Sequence, residues 1–225
     1  MSRVPVCARC LESVEPLSAE YWCVQCRTPF LNERPLDAEG VCALCREGLR
    51  GYDAAFSFGS YDGALRRLIH VFKYERVDTL AAPLGRLLAR ALPRDNAHDA
   101  VVPMPLHWFR RYRRGFNQAE LLAREVALRM DAGVVMPLTR SWGARQSGLT
   151  NAQRRRNVGA AFKARKGVDL KGARVLLVDD VLTTGATAAA CARALKRAGA
   201  AHVSVLTLAR ADRRIGAADS PGARP

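Results

Sequence analysis

The sequence predicts an α/β fold, in which a mainly parallel sheet is flanked by helices and a small cysteine-rich domain precedes it. One observation is a strand, a helix and a second strand that follow each other within about 35 residues near the C-terminus, the pattern of a βαβ unit. Another is that six of the seven cysteines form three CxxC pairs in the first 45 residues. The chain has 225 residues, 49% of them hydrophobic, which suffices for one substantial domain and a small one.

The first predicted unit is the cysteine-rich segment, residues 1–50. It is too short and too rich in turns to fold by apolar burial alone, so we expect a structural Zn²⁺ bound by four thiolates, as in a zinc ribbon. Two sets of cysteines have suitable spacing: Cys23, Cys26, Cys42 and Cys45, or Cys7, Cys10, Cys23 and Cys26. We favour the first set, because RTPF after Cys26 and the Gly40 turn before Cys42 are typical of a ribbon hairpin. Cys7 and Cys10 are then left over, or belong to a second ribbon whose other half is absent. A redox role is the alternative for a CxxC pair, but no βαβ pattern surrounds any of them.

The predicted α/β domain covers residues 51–212. Its first helix places Leu65, Leu68, Ile69 and Phe72 on one face, with the spacing of an amphipathic helix. A Pro-Met-Pro loop follows the second strand. The predicted elements of the first half are a strand at 54–61, helices at 65–74 and 79–92, a strand at Ala100–Val102 and a helix at Asn117–Met130.

The second half contains the βαβ unit. Ser141–Asn157 has little apolar periodicity and several arginines, which predicts a mobile loop. A strand is predicted at Arg174–Val178, a helix at Ala186–Ala198 that Gly199 ends, and a strand at His202–Leu208. Residues 213–225 are expected to form a disordered tail.

The stretch VLLVDDVLTTGAT, Val175 to Thr187, carries the clearest chemistry. Ligands of parallel α/β sheets bind at the carboxyl ends of strands, which is where this stretch turns polar. Its small residues, Thr183, Thr184, Gly185, Ala186 and Thr187, lead directly into a helix. Their backbone N–H groups and the helix dipole would hold an anion such as a phosphomonoester. The loop is not a Walker A motif, since it lacks that motif's lysine.

Two adjacent acids, Asp179 and Asp180, precede this loop. A phosphate would repel them, so they need another role: accepting hydrogen bonds from sugar hydroxyls, or holding Mg²⁺ directly or through water. A phosphorylated ribose with a metal ion satisfies the acids and the loop together.

VLLVDDVLTTGAT resembles the phosphoribosyl-pyrophosphate signature of type I phosphoribosyltransferases. Over nearly the whole chain, the order and spacing of further motifs are similar to those of ComF-type competence proteins. These motifs are the CxxC region, FKY, VPMPL…RRGFNQAELLA, RQSGLTNAQRRRNVGAAF and the signature itself. The resemblance implies a type I phosphoribosyltransferase fold with an N-terminal zinc ribbon. The family usually carries four CxxC pairs, whereas this chain has three.

The resemblance also implies a role for each matching residue. Asp179 and Asp180 would contact the ribose hydroxyls and hydrated Mg²⁺, and Thr183 to Thr187 the 5′-phosphate of phosphoribosyl pyrophosphate. Pro105 and Leu106 would receive pyrophosphate, together with Arg110, Arg111, Arg113 and Arg114. Lys73 matches the family's lysine after the first helix, and Ser141–Asn157, with matching residues Gln146, Arg154 and Asn157, would close as a lid. The residues expected to act in catalysis are Asp179, Asp180, Lys73, Arg110 and Arg114.

The predicted chemistry does not include a base from the phosphate loop. Departing pyrophosphate would be stabilised by Mg²⁺ and by cationic side chains. Purine-salvage relatives often have an aspartate at the first loop position, where this chain has Thr183. General-base catalysis from this loop is therefore not expected.

The charge distribution supports a polyanionic partner. The chain has a formal net charge of +15, and Val101 to Lys166 contains 14 Lys and Arg against three acids. Aromatic residues alternate with arginines between Trp108 and Phe116, which suits stacking on single-stranded nucleic acid. Two functions therefore remain open: a Mg²⁺-dependent phosphoribosyltransferase, or a non-catalytic single-stranded-DNA-binding competence factor that retains the pocket and works with DNA-uptake or helicase proteins.

Nothing in the sequence predicts membrane insertion. No apolar run approaches the roughly 20 residues that a spanning helix needs, and the N-terminal residues lack the apolar core of a secretory signal. We therefore expect a cytoplasmic protein. The sequence leaves the acceptor substrate and the oligomeric state open.

Overall fold

The computed structural model describes residues 6–30, 32–48, 51–93, 97–106, 112, 115–140 and 162–211. The helices are α1 (Ala8–Glu12), α2 (Ala43–Arg46), α3 (Gly63–Tyr74), α4 (Ala81–Ala89), α5 (Gln118–Met130) and α6 (Ala186–Arg197), with a 3₁₀ turn at Asp78–Leu80. The strands are β1 (Tyr21–Trp22), β2 (Pro29–Phe30), β3 (Ala54–Ser60), β4 (Ala100–Pro103), β5 (Gly133–Val134), β6 (Leu138–Arg140), β7 (Phe162–Ala164), β8 (Arg174–Leu182) and β9 (His202–Arg210).

The central sheet has five strands in the order β3-β9-β8-β4-β5, and every neighbouring pair is parallel. Strand β8 lies in the middle, so both of its faces are covered and its residues alternate between two cores. Val175 and Leu177 pack on the side of α6, and Leu176 and Val178 pack on the side of α3, α4 and α5. This is the α/β architecture that the sequence predicts.

The helices follow the apolar periodicity of the sequence. On α3, Leu65, Leu68, Ile69 and Phe72 are all buried, as their spacing predicts. Helix α5 begins at an N-cap: the Asn117 side chain accepts a hydrogen bond from the Ala119 N–H at 3.2 Å. It ends at Asp131, whose backbone is left-handed. Helix α5 is thereby fixed beside the carboxyl end of β4.

The N-terminal segment packs against the sheet. The thiols of its buried cysteines belong to the same apolar cluster as residues of α6 and the sheet face beneath it. Two hydrogen bonds fix the contact: the Leu17 N–H donates to the Phe58 carbonyl at 2.6 Å, and Arg210 Nη2 donates to Thr28 Oγ1 at 2.6 Å. The segment therefore lies along edge strand β3 and at the end of β9.

Some element limits differ from the sequence-based prediction. Strand β8 was expected at Arg174–Val178 but continues to Leu182, because its last residues pair with β9 as far as Arg210. Helix α4 ends at Ala89, three residues earlier than expected. The expected mobile loop Ser141–Asn157 and the expected tail 213–225 lie outside the described residues.

Within the described part of the chain, no helix is both long and apolar enough to cross a membrane.

Candidate functional site

The acidic pair lies in the central strand of the sheet. Asp179 and Asp180 are the sixth and seventh residues of β8, so they precede the end of the strand rather than following it. Successive side chains of a strand point to opposite faces of the sheet, so the two carboxylates diverge. The Asp180 N–H donates to Asp179 Oδ1 at 2.9 Å, which fixes the first carboxylate against the backbone.

Asp180 forms an ion pair with Lys73. Lys73 Nζ lies 2.7 Å from Asp180 Oδ1, and each side chain is only about one-eighth exposed, at 13% and 12%. Lys73 lies in the last turn of α3, where a cation also interacts favourably with the helix dipole. The structure thus brings Lys73 to the acidic pair, so that three of the residues expected to act in catalysis meet, although Lys73 precedes the pair by more than 100 positions.

Asp179 has a strongly perturbed acidity. Burial, and then the negative charge of Asp180, raise the pKa of Asp179 to about 7. The hydrogen bond from the Asp180 N–H and the charges of Lys73 and Arg140 oppose this rise but do not cancel it. A carboxyl group with such a pKa is partly protonated at neutral pH, and a bound cation would favour its charged form.

The phosphate-loop candidate follows directly. Thr183 and Thr184 are exposed, and Gly185 adopts a left-handed backbone (φ 77°) at the N-cap of α6. A left-handed residue at this position costs little only for glycine, so Gly185 sets the angle at which the loop enters the helix. The N-cap Gly185 has no side chain to cap α6, and the Ala186 N–H donates to Thr184 Oγ1 at 3.4 Å. Ala186 and Thr187 lie in the first turn of α6, where backbone N–H groups lack partners within the helix and can donate to an anion.

A second loop lies beside the acidic strand. The Met104 N–H donates to the Val178 carbonyl at 2.8 Å, and Asn117 Nδ2 donates to the Met104 carbonyl at 3.2 Å. Pro105 and Leu106 continue this loop and line a cavity of about 280 Å³. The arginines predicted to act with them, Arg110, Arg111, Arg113 and Arg114, lie outside the described residues, as do Gln146, Arg154 and Asn157 of the expected lid.

Arg140 is a site residue that the sequence alone does not single out. It ends β6, lines the same cavity as Pro105 and Leu106, and acts electrostatically on Asp179. Its guanidinium group lies over the Phe162 ring, 5.2 Å from the centroid. Arg140 belongs to none of the recognised motifs, and it reaches the site as the last residue of β6, which pairs with β7.

The candidate metal centre is separate from this site. The four sulfur atoms of Cys23, Cys26, Cys42 and Cys45 all lie within 4.8 Å of one another, and all four residues are buried. The N–H groups of Cys26 and Cys42 each donate to Cys23 Sγ at 3.4 Å. This is the set favoured from the sequence; Cys7 and Cys10 are exposed and do not belong to it.

The four thiols fit a structural Zn²⁺. Four sulfur ligands in a buried cluster are the donor set of a structural zinc site. Burial raises the pKa of Cys45 to about 12, whereas the hydrogen bond with Cys26 lowers the pKa of Cys42. A cation would favour the thiolate form of all four cysteines. A divalent ion would supply that positive charge.

Comparison with protein families supports the fold described above. A family model described as "Phosphoribosyl transferase domain" matches residues 113–221. These residues include the acidic strand, the phosphate-loop candidate and helix α6. With the parallel sheet, the match shows a type I phosphoribosyltransferase fold.

Curated relatives match most of the chain. Competence protein F of Haemophilus influenzae is 34% identical over 182 residues, covering 76% of this chain and 78% of that protein. DNA utilization protein YhgH of Salmonella typhimurium is 32% identical over 215 residues, covering 91% of this chain and 88% of that protein. Competence protein ComFC of Bacillus subtilis is 30% identical over 190 residues, covering 79% of this chain and 75% of that protein.

The solved structures that this chain resembles have lower sequence identity to it than these curated relatives. Glutamine phosphoribosylpyrophosphate amidotransferase from B. subtilis matches 57% of this chain and 26% of its own chain, with 24% sequence identity and a TM-score of 0.41. Adenine phosphoribosyltransferase from Saccharomyces cerevisiae matches 65% of this chain and 75% of its own chain, with 18% sequence identity and a TM-score of 0.38. This chain thus spans about a quarter of the amidotransferase chain.

Proposed function

The chain belongs to the family of competence protein F, ComFC and DNA utilization protein YhgH, and on this basis we propose that it binds phosphoribosyl pyrophosphate with Mg²⁺ and acts in the handling of DNA during natural competence. One observation carries the proposal. The acidic pair of β8 and the N-terminus of α6, which follow one another in the chain, offer acceptors for hydroxyls next to donors for a phosphate.

The proposed division of roles follows from the residues. The exposed hydroxyls of Thr183 and Thr184 and the first-turn N–H groups of α6 would bind the 5′-phosphate. Asp179 and Asp180 would accept hydrogen bonds from the ribose hydroxyls and from water bound to Mg²⁺. Bound there, Mg²⁺ would offset the charge of the departing pyrophosphate.

Lys73 has a distinct role in this proposal. A carboxylate near a phosphate site repels the ligand unless its charge is neutralised. The ion pair with Lys73 Nζ neutralises Asp180 and holds its carboxylate in place. Lys73 is therefore proposed to position Asp180 and to lower the repulsion between the acidic pair and the ligand.

The pyrophosphate half of the ligand would lie toward the second loop. Pro105, Leu106 and Arg140 line one cavity beside the acidic strand, and Arg140 adds a positive charge there. Water exclusion would favour transfer to the acceptor over hydrolysis. We also propose that the protein is cytoplasmic, since CxxC pairs that bind zinc need reduced thiols.

Calorimetry tests this proposal. We expect phosphoribosyl pyrophosphate to bind the wild-type chain when Mg²⁺ is present, and Asp180→Asn to weaken that binding at least about tenfold. Asp131→Asn is the matched control: it removes the same charge from the end of α5, where asparagine tolerates the left-handed backbone. Equal affinity of the Asp180→Asn and Asp131→Asn variants would refute the assignment.

A specific cavity favours a second candidate function, the binding of single-stranded DNA. A cavity of about 270 Å³ lies between the N-terminal segment, β3 and the end of α4. Two cation–π pairs border it: Arg27 lies over Trp22 and Arg90 over Phe58, each 5.6 Å from the ring centroid. Arginines paired with aromatic rings are suited to stack on bases and to contact phosphates.

The salt dependence of DNA binding tests this second function. Each phosphate contact on a single strand contributes about 0.7 to the slope of log K against log salt. Replacing both Arg27 and Arg90 with alanine should therefore flatten the slope by about 1.4. Arg86→Ala, an exposed arginine of the same helix α4 that does not line the cavity, is the control. An unchanged slope in the double variant would remove this cavity from the DNA-binding surface.

A further inference from the structure

The cysteine pair at the N-terminus has the backbone of a zinc knuckle. Cys7 precedes α1 with φ −71° and ψ 154°, and Cys42 precedes α2 with φ −77° and ψ 155°. In each pair the N–H of the second cysteine donates to the carbonyl of the first, at 3.1 Å for Cys10 and 2.9 Å for Cys45. The two segments, VCARCLE and VCALCRE, share a valine, an alanine and a glutamate at matching positions besides the cysteines. They adopt the same local conformation around the CxxC pair.

The two pairs differ in how many ligands surround them. Cys42 and Cys45 are joined by Cys23 and Cys26 to make a buried group of four. Cys7 and Cys10 have their sulfur atoms 3.2 Å apart and are both exposed. In the part of the chain that the structure describes, no histidine, cysteine or carboxylate completes a group of three or more around them. The chain thus presents two thiols of a four-ligand site at its surface.

This exposed pair is anchored to the folded domain. Leu11 of α1 packs against the apolar core under α3 and α4, and Val14, just after the helix, is buried. Ser13 Oγ donates to the Cys10 carbonyl at 3.0 Å and so closes the end of the helix.

We propose that Cys7 and Cys10 form half of a second zinc site, which the same two cysteines of a second copy of this chain complete. Zinc in structural sites is four-coordinate and tetrahedral, so two thiolates leave two positions to be filled. A twofold axis through the metal supplies two more thiolates from the identical surface of the partner copy. On binding, each thiol loses its proton to solvent and forms one Zn–S bond.

Zinc content and molecular mass, measured together on the full chain under reducing conditions with added zinc, test the proposal. The wild type should be a dimer with about 1.5 zinc ions per chain: one in each four-cysteine cluster and one shared. The Cys7→Ser/Cys10→Ser double variant should be a monomer with about one zinc ion per chain. Because both residues are exposed, this variant should unfold at the same temperature as the wild-type chain from which only the shared zinc has been removed.

The controls separate the shared site from other sources of dimerisation. Glu12→Gln changes an exposed residue of the same short helix and keeps both thiols, so it should retain the dimer and the additional zinc. A chelator that removes only the exposed zinc should convert the wild type to monomers, and added zinc should restore the dimer.

Several results would overturn the proposal. One is a wild-type monomer with one zinc ion per chain; another is a monomer with two, because the pair is then completed within a single chain. A dimer that persists in the double variant would place the interface elsewhere. The phosphoribosyl pyrophosphate calorimetry is an independent readout, which the double variant should leave unchanged.

Discussion

Among single residues, Asp179 connects the fold to the chemistry most directly. It lies in the middle strand of a parallel sheet, where burial and the neighbouring Asp180 raise the pKa of its carboxyl group to about 7. A group with this property at the end of a sheet where ligands bind is a candidate for function, since the fold disfavours its charged form in the absence of a ligand. The ligand that the site binds should favour the charged form.

The raised pKa of Asp179 predicts how stability depends on pH. An acid whose pKa is higher in the folded state binds more protons when folded, so its contribution to stability falls as pH rises from its ordinary value of 3.8 to about 7. The Asp179→Asn variant lacks this dependence. In magnesium-free buffer, the free energy of unfolding of the wild type should therefore fall relative to the variant by about 2 to 3 kcal/mol between pH 5 and pH 8.

Urea unfolding of both proteins across that pH range measures the difference, and titrations common to both proteins cancel. A difference that does not change with pH would show that the acidity of Asp179 is ordinary in the folded chain.

Among the elements, the packing of α4 on α5 depends on one glycine. A β-carbon built on Gly85 would lie 2.3 Å from the β-carbon of Glu125, which is closer than two such atoms can approach. Alanine is the better helix former, yet here its methyl group would force the two helices apart. We expect Gly85→Ala to destabilise the chain by about 2 kcal/mol, within the range of overpacked cores.

Gly133→Ala is the comparison for this variant. No atom lies within 4 Å of a β-carbon placed on Gly133, so this substitution should change the free energy of unfolding by less than about 0.5 kcal/mol. Thermal unfolding of the two variants distinguishes them. If Gly85→Ala is as stable as the wild type, α4 and α5 can separate enough to accept the methyl group, and the close approach of Gly85 to Glu125 does not limit their packing.

Comparing predicted and observed elements shows which features local sequence can predict. The apolar spacing in α3 and the strand–helix–strand order of β8, α6 and β9 were predictable, because each signal lies within one short stretch. The end of β8 was not. Its last residues, which follow two acids, read as a loop, but pairing with β9 as far as Arg210 keeps them extended. Long-range pairing overrides local preference there.

The same limit applies to the site. The acidic pair and the loop from Thr183 to Thr187 could be found because they are contiguous in the sequence. The place of Arg140 could not, because it depends on β6 pairing with β7 across a gap of more than 20 residues. The four cysteines favoured from the sequence do lie in one spatial group, and the hairpin and the turn before Cys42 that favoured them are local features; their zinc binding stays a prediction.

For the whole molecule, the main structural question is how the N-terminal segment is joined to the α/β domain. Residues 1–50 were predicted to be a domain of their own. Their buried cysteines nevertheless share an apolar cluster with Tyr52, Ala55 and residues of α6, and Thr28 accepts a hydrogen bond from buried Arg210. The two parts are therefore expected to unfold together.

Zinc removal tests this coupling. A structural zinc site contributes folding free energy directly, and 1 kcal/mol corresponds to about 2 to 4 °C in a chain of this size. Stripping the metal with a strong chelator should lower the single melting transition by about 10 °C or more. Two transitions, of which the upper one is unaffected by the chelator, would show that the α/β domain is stable without the ribbon.

The central claim is that the site at the carboxyl end of β8 recognises a phosphorylated ribose carrying pyrophosphate. Titration of phosphoribosyl pyrophosphate into the wild-type chain with Mg²⁺, compared with ribose 5-phosphate and with pyrophosphate, tests this most directly. The phosphate loop, the acidic pair and the Pro105–Leu106 loop should contribute together, so phosphoribosyl pyrophosphate should bind at least about tenfold more tightly than either fragment. No measurable binding of phosphoribosyl pyrophosphate, or an affinity equal to that of pyrophosphate alone, would contradict the account.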